Sequence, residues 1–214
     1  MKLQKLGGYA AIASVFIPFV IVFFIAQSVQ SPLNNDPAKW MAAYTAAPAY
    51  FIAIGLLFII WLALGLIMAL ALYELMQNRA PIFTRLMLIT ASACTVIVTM
   101  YTVISIVGMR MIIPTQDVSA FRASLAITTG LQITVGVLSA WNCLFIGCAI
   151  LKTRSLSRGL GWLYLLTFIV WMVHFIHSHG IQFVLLIIAS VWTGIALLRV
   201  KQPQPAPKEM AASR

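Results

Sequence analysis

The sequence predicts an all-α polytopic integral membrane protein, a six-transmembrane-helix bundle with both ends in the cytoplasm. Three observations predict it. Hydrophobic residues fill 62% of the 214 positions and charged residues only 8%, whereas soluble domains carry about a quarter charged residues. No water-soluble fold could hide that much apolar surface. The apolar residues also fall into six runs; at roughly 20 residues per crossing, six crossings take about 120 positions and leave no room for a soluble catalytic domain. Finally, Lys and Arg gather in short groups at the ends of those runs.

The first run covers residues 6–29, and Pro18 near its middle removes an amide donor, which predicts a kink. Lys2 and Lys5 ahead of an apolar stretch also fit a secretory signal. That stretch is longer than the usual signal core, and Phe24 and Ala26 make a poor small-x-small cleavage pair, so it is read as a retained first span. Residues 31–48 contain Pro32, Asn34, Asn35, Asp36, Pro37 and Lys39, a turn-rich connector in which Trp40 and Tyr44 suit the membrane interface. The second run, 49–75, closes at Glu74. A basic turn with Arg79, Pro81 and Arg85 leads into the third, 86–109. Arg110, Pro114, Asp117 and Arg122 then break the pattern before the fourth, 124–151.

Lys152, Arg154 and Arg158 form the next basic turn. The fifth run, 160–176, and the sixth, 181–200, are separated only by His177, Ser178, His179 and Gly180, which predicts an antiparallel helical hairpin. Residues 1–200 therefore make one six-span domain. Residues 201–214, with three prolines among polar neighbours, are too short and polar to pack and read as a disordered cytoplasmic tail.

The formal charge of +10 would suggest a nucleic-acid binder if position were ignored. Position argues for membrane anchors and against nucleic acid. Counted on alternate sides, eleven Lys and Arg lie on one side of the six spans and three, Lys39, Arg110 and Arg122, on the other. By the positive-inside rule the richer side is cytoplasmic, in the inner (cytoplasmic) membrane. Cys94, Cys143 and Cys148 fall inside apolar runs without the placement of a secreted disulfide framework, and read as small buried thiols.

Certain span ends carry a family resemblance. Leu72-Tyr73-Glu74 closes the second span, Arg79-Ala80-Pro81 with Arg85-Leu86 opens the third, and Leu160-Gly161-Trp162-Leu163 opens the fifth. Trp192 with Gly194 and Leu197-Leu198-Arg199 closes the sixth. In these features, which extend over most of the chain, it resembles a bacterial family of multi-pass membrane proteins classified only as a domain of unknown function. The resemblance implies a multi-pass helical fold and supplies no catalytic residue.

Two residue patterns are candidates for chemistry. His174, His177 and His179 form an HxxHxH cluster at the end of the fifth span. Imidazoles three apart share a helix face, so His174 and His177 could hold copper, zinc or haem iron with His179 folding in. The preferred reading is plainer: the histidines bond lipid, water or neighbouring helices in the headgroup region, and no cofactor is required. The second pattern is a pair of polar stripes at steps of three and four. Ser92, Thr95, Thr99, Thr102 and Ser105 form one on the third span; Thr128, Gln132, Gly136, Ser139 and Asn142 form the other on the fourth. Facing each other, they could line a path for a small solute, with Gln132 and Asn142 the most expensive groups to bury and Thr99 and Thr102 opposite. Close helix packing is the simpler use of such residues.

No Asp, Glu, Lys or Arg lies well inside any run, which argues against a proton-driven carrier. No glycine-rich phosphate loop, Ser/His/Asp set, HExxH or paired carboxylates supports a soluble-type enzyme. The expected role is thus a small-solute facilitator or an accessory subunit, with the metal- or haem-binding redox protein as the alternative. The expected partners are the lipid bilayer and a second copy of the chain or another membrane protein.

Overall fold

The computed structural model describes residues 3–28, 36–174 and 181–200. Their regular structure is entirely helical: α1 (Leu3–Ser28), α2 (Pro37–Ala46), α3 (Pro48–Met76), α4 (Pro81–Ile112), a short 3-10 turn (Ile113–Thr115), α5 (Val118–Thr153), α6 (Arg158–His174) and α7 (Ile181–Arg199). Three helices, α3, α4 with its 3-10 extension, and α5, are long and apolar enough to cross a membrane. The 29, 32 and 36 residues of α3, α4 and α5 correspond to about 43, 48 and 54 Å at 1.5 Å per residue, against about 30 Å of bilayer hydrocarbon. The apolar stretches Leu3–Ile17, Arg158–Val173 and Val184–Arg199 of α1, α6 and α7 are shorter.

The helices extend past the apolar runs because polar residues suited to helix starts lie outside those runs. α4 begins at Pro81 and α5 at Val118, ahead of the runs that open at 86 and 124. Proline's missing N–H is harmless in a first helical turn, and its fixed φ favours the start. The Asp117 carboxylate caps α5 by accepting from the backbone N–H groups of Ser119 and Ala120 at 2.9 and 3.0 Å. α5 ends where Arg154 turns left-handed at φ 52°. α1 continues helical through Pro18.

The expected turn-rich connector over 31–48 is corrected: ten of its residues form α2. The dipeptide Asp36-Pro37 is a start signal here, with the Asp36 carboxylate accepting from Ala38 N–H at 3.0 Å and Pro37 in the first turn. Trp40, Met41 and Tyr44, three and four residues apart, share the face that packs against the rest of the chain. Ala47 breaks the helix at φ −142°, ψ 61°, because a residue before proline is pushed out of the helical region. Pro48 then starts α3.

Sequential long helices pack side by side, α3 on α4, α4 on α5, α5 on α6 and α6 on α7, while α1 packs on both α3 and α7. The six long helices therefore close into a ring. The turns at 77–80 and 154–157 fall at one end, hereafter the basic-turn end. The turn at 113–117 and α2 fall at the opposite one, the α2 end, where α2 lies against α5 and α3.

The half of the ring nearer the basic turns is densely filled. Leu72, Met76, Met87, Ile146, Ile150, Leu160 and Tyr164 are fully buried there, and the Tyr164 hydroxyl bonds Thr193 Oγ1 at 2.8 Å. Glycines permit the closest crossings. A Cβ on Gly194 would lie 2.8 Å from the Gly8 carbonyl oxygen, and one on Gly147 would lie 2.9 Å from that of Gly161. Small residues at such crossings let helix backbones approach. Outward faces are apolar: only 11% of an 18-residue apolar window of α3 is buried within the chain, and Trp162 on α6 is 64% exposed.

Candidate functional site: an aromatic cavity at the α2 end

The facing surfaces of α4 and α5 meet at three polar contacts. Nearest the basic turns, Thr90 Oγ1 donates to Asn142 Oδ1 at 3.2 Å. One level up, Cys94 Sγ lies 3.7 Å from Ser139 Oγ and 3.8 Å from the Val135 carbonyl. Nearest the α2 end, Gln132 Nε2 donates to the Tyr101 hydroxyl at 2.9 Å. The α5 stripe predicted from the sequence thus faces α4, but its partners are Thr90, Cys94 and Tyr101, not the Ser/Thr stripe. Two hydroxyls of that stripe instead satisfy themselves locally: Thr95 donates to Ala91 O at 3.0 Å and Thr99 to Thr95 O at 2.8 Å. Helical Thr commonly bonds the carbonyl four residues back, which removes any need for a partner on another helix.

Above the Gln132–Tyr101 pair the helices part around a cavity of about 1180 Å³, somewhat larger than the roughly 300–1,000 Å³ of most small-ligand sites. Residues of α2, α3, α4, the 3-10 turn and α5 line it. Its lining reaches no deeper than Phe58 on α3, Tyr101 on α4 and Ile133 on α5. From Arg110 to Tyr101 that is a depth of about 14 Å along α4, roughly half of a bilayer's hydrocarbon. Beneath it, Val98, Gly136 and Ala140 are buried, so the space between α4 and α5 does not continue towards the basic turns.

Of the predicted binding residues the structure brings two to the cavity and leaves two away from it. Gln132 and Thr102 line it. Thr102 is buried, donating to the Gly55 carbonyl at 3.4 Å; a Cβ on Gly55 would lie 2.7 Å from Thr102 Cγ2, so this glycine sets the separation of α3 and α4. Asn142 is half-buried near the basic-turn end, and Thr99 is exposed on the outer face of α4. Of the histidine cluster, His174 ends α6, and His177 and His179 lie outside the described residues. Among the described residues no three His, Cys, Asp or Glu side chains gather in a group able to hold a metal.

Six aromatic rings, Trp40, Tyr44, Tyr50, Phe51, Phe58 and Tyr101, stand in a wall that is otherwise mostly aliphatic. Tyr44 stacks on Phe51 with ring centroids 3.8 Å apart and meets Phe121 edge-on at 6.0 Å. Trp40 tilts against both Tyr44 and Phe51, and Tyr50 meets Phe51 edge-on at 5.4 Å. Burial pushes the Tyr44 phenol up to about 12, with Tyr101 adding to the shift, so it stays a neutral donor at physiological pH. Arg110, in the last turn of α4, and Arg122, in the first turns of α5, complete the rim. No carboxylate, imidazole or thiol is among the described lining residues. Such a surface can bind through shape, aromatic faces and a few hydrogen bonds, but it lacks a nucleophile–base pair.

Sequence reasoning missed Tyr101, which is one aromatic residue inside an apolar run, and it treated Arg110 and Arg122 only as charges that end runs. A signal existed for α2 in Asp36-Pro37. None existed for the Gln132–Tyr101 bond, which joins residues 31 positions apart. No family model matches the chain, and neither the curated proteins nor the solved structures compared with it give a match.

Proposed function

We propose that this chain is a non-enzymatic integral membrane protein, spanning the inner membrane six times with both ends cytoplasmic, that binds a small hydrophobic or amphipathic molecule in the α2-end cavity. The observation that carries this reading is the cavity itself: a space of about 1180 Å³ at the α2 end, lined by aromatic and aliphatic side chains, with Gln132 and Tyr101 at its deep end. In a six-span arrangement the apolar outer faces of the ring meet lipid, and α2 lies at the outer interface with Trp40 and Tyr44, residue types favoured there. A facilitator would use the same pocket as its outward-facing state and would have to part the Thr90–Asn142 and Cys94–Ser139 contacts to release solute inward.

The test is a cavity-filling substitution read by native mass spectrometry of the purified chain. Ala126 lines the space and is exposed, so Ala126→Trp is expected to fold and to lose a bound small-molecule adduct carried by the wild type. Absence of any adduct, or its persistence in the variant, contradicts the reading. Topology is checked separately by labelling intact cells with a membrane-impermeant maleimide. Gln116→Cys is expected to react and Ser155→Cys to be protected; the reverse pattern overturns the orientation.

A further inference from the structure

The charge at the α2 end does not balance. The chain has four acidic residues, Asp36, Glu74, Asp117 and Glu209. Glu74 sits near the end of α3 that meets the basic turns; among the described residues Asp36 and Asp117 are the carboxylates at this end. Both carboxylates are engaged: Asp36 caps α2 through Ala38 N–H, and Asp117 caps α5 through Ser119 and Ala120 N–H. The helix N-termini they serve are themselves partly positive and hold a carboxylate in place.

Three Lys and Arg belong to this end by the alternation of the helices, and two of them, Arg110 and Arg122, line the one cavity described above. Neither forms an ion pair or side-chain hydrogen bond among the described residues. Guanidinium groups at the rim of an apolar, aromatic space present fixed fork-shaped donors suited to a carboxylate or phosphate. The pocket offers Phe51 and Phe58, with Trp40 at its margin, to an apolar body and Gln132 to a polar atom.

From this juxtaposition we propose that the occupant is an anionic amphiphile: an acyl or alkyl chain lying among the aromatic side chains, with a carboxylate or phosphate head held between Arg110 and Arg122. This rests on the binding role proposed above and adds the chemistry of the ligand. Two sources share that chemistry, free fatty acids and single-chain phospholipids.

The experiment places the full-length chain in nanodiscs of zwitterionic phosphatidylcholine and titrates in three brominated probes of equal chain length: a fatty acid, an alkyl phosphate and the neutral fatty alcohol. Bromine quenches nearby tryptophan, and the signal from the cavity is the part of the quenching lost in Trp40→Phe. An anionic probe is expected to quench Trp40 saturably and about tenfold or more tightly than the alcohol. Preference between the acid and the phosphate identifies the source. Arg110→Gln with Arg122→Gln is expected to reduce the anionic probes to the affinity of the alcohol, and the Lys pair at both positions to restore part of the difference. Equal binding of acid, phosphate and alcohol, or a preference unchanged in the Gln pair, overturns anionic selection while leaving the cavity reading intact. No Trp40-dependent quenching by any probe overturns the binding role itself. If the Gln pair fails to fold, the comparison of probes on the wild type still decides.

Discussion

Replacing Phe121 by alanine is expected to release α2 from the bundle while leaving the six long helices in place. Phe121 is fully buried and joins Met41 of α2 to Met109 of α4 in a cluster separate from the main core. Its ring also meets Tyr44 edge-on at 6.0 Å. Truncating a buried phenylalanine costs about 3–5 kcal/mol, of which an aromatic pair contributes about 0.5–1.5 kcal/mol. Among the described residues α2 packs chiefly on α5 and α3, so the loss falls on α2 docking. At about 1.4 kcal/mol per factor of ten, amide exchange in α2 should accelerate at least a hundredfold or so. Hydrogen–deuterium exchange of the chain in nanodiscs reads this directly, with residues 37–46 compared against the interior of α4. Phe121→Leu keeps most of the volume and is expected to show a small fraction of the effect. Unchanged exchange in α2, or equal acceleration in α4, would refute the view that this cluster seats α2 over the cavity.

Other perturbations give sharp expectations. Tyr101→Phe and Gln132→Leu remove opposite ends of one hydrogen bond, so a double-mutant cycle on detergent stability should show coupling of about 0.5–1.5 kcal/mol; strict additivity would mean the 2.9 Å contact contributes nothing. Gly194→Val drives a side chain into the Gly8 carbonyl and Ile12, and overpacking of this kind costs about 1–3 kcal/mol. Gly130→Ala, where a Cβ meets nothing within 4 Å, should be neutral or stabilising by up to about 1 kcal/mol. Equal thermal shifts for the two would contradict the α1–α7 crossing. Tyr44 has a folded-state pKa of about 12, above the ordinary 10.0. The stability it contributes is therefore complete below pH 10, declines above it and is lost as pH rises through 12. Ultraviolet titration should show a phenol ionising near the upper value that disappears in Tyr44→Phe, and α2 should loosen over the same interval.

Hydropathy made the long helices legible, since twenty consecutive apolar residues have few other uses, but it misplaced their ends. Arg85 and Arg122 end the apolar runs without ending the helices, because a guanidinium on a helix surface is compatible with helical backbone; the starts lie at Pro81 and after Asp117. α2 was hidden by the same residues that create it, Asp36 and Pro37 being read as turn formers when they serve as cap and first turn. Half of the expected binding set reaches the cavity. Gln132 and Thr102 could be found by their places on the polar stripes, although Gln132 is exposed and not buried as its selection assumed. Asn142 lies away from the cavity, meeting Thr90, a residue off those stripes, and the Thr99 hydroxyl bonds within its own helix. The arginines at the rim come from either side of the 3-10 turn, and only folding places them on one cavity.

The cavity is tested most directly by the density of the full-length chain in nanodiscs, determined by electron cryomicroscopy with a bound antibody fragment as a fiducial. The result expected is non-protein density in the space bounded by Phe58, Tyr101 and Gln132, with Trp40 and Tyr44 at its margin. The contradicting result is a collapsed α2 end in which α2 and those rings fill the space and no room remains for a ligand.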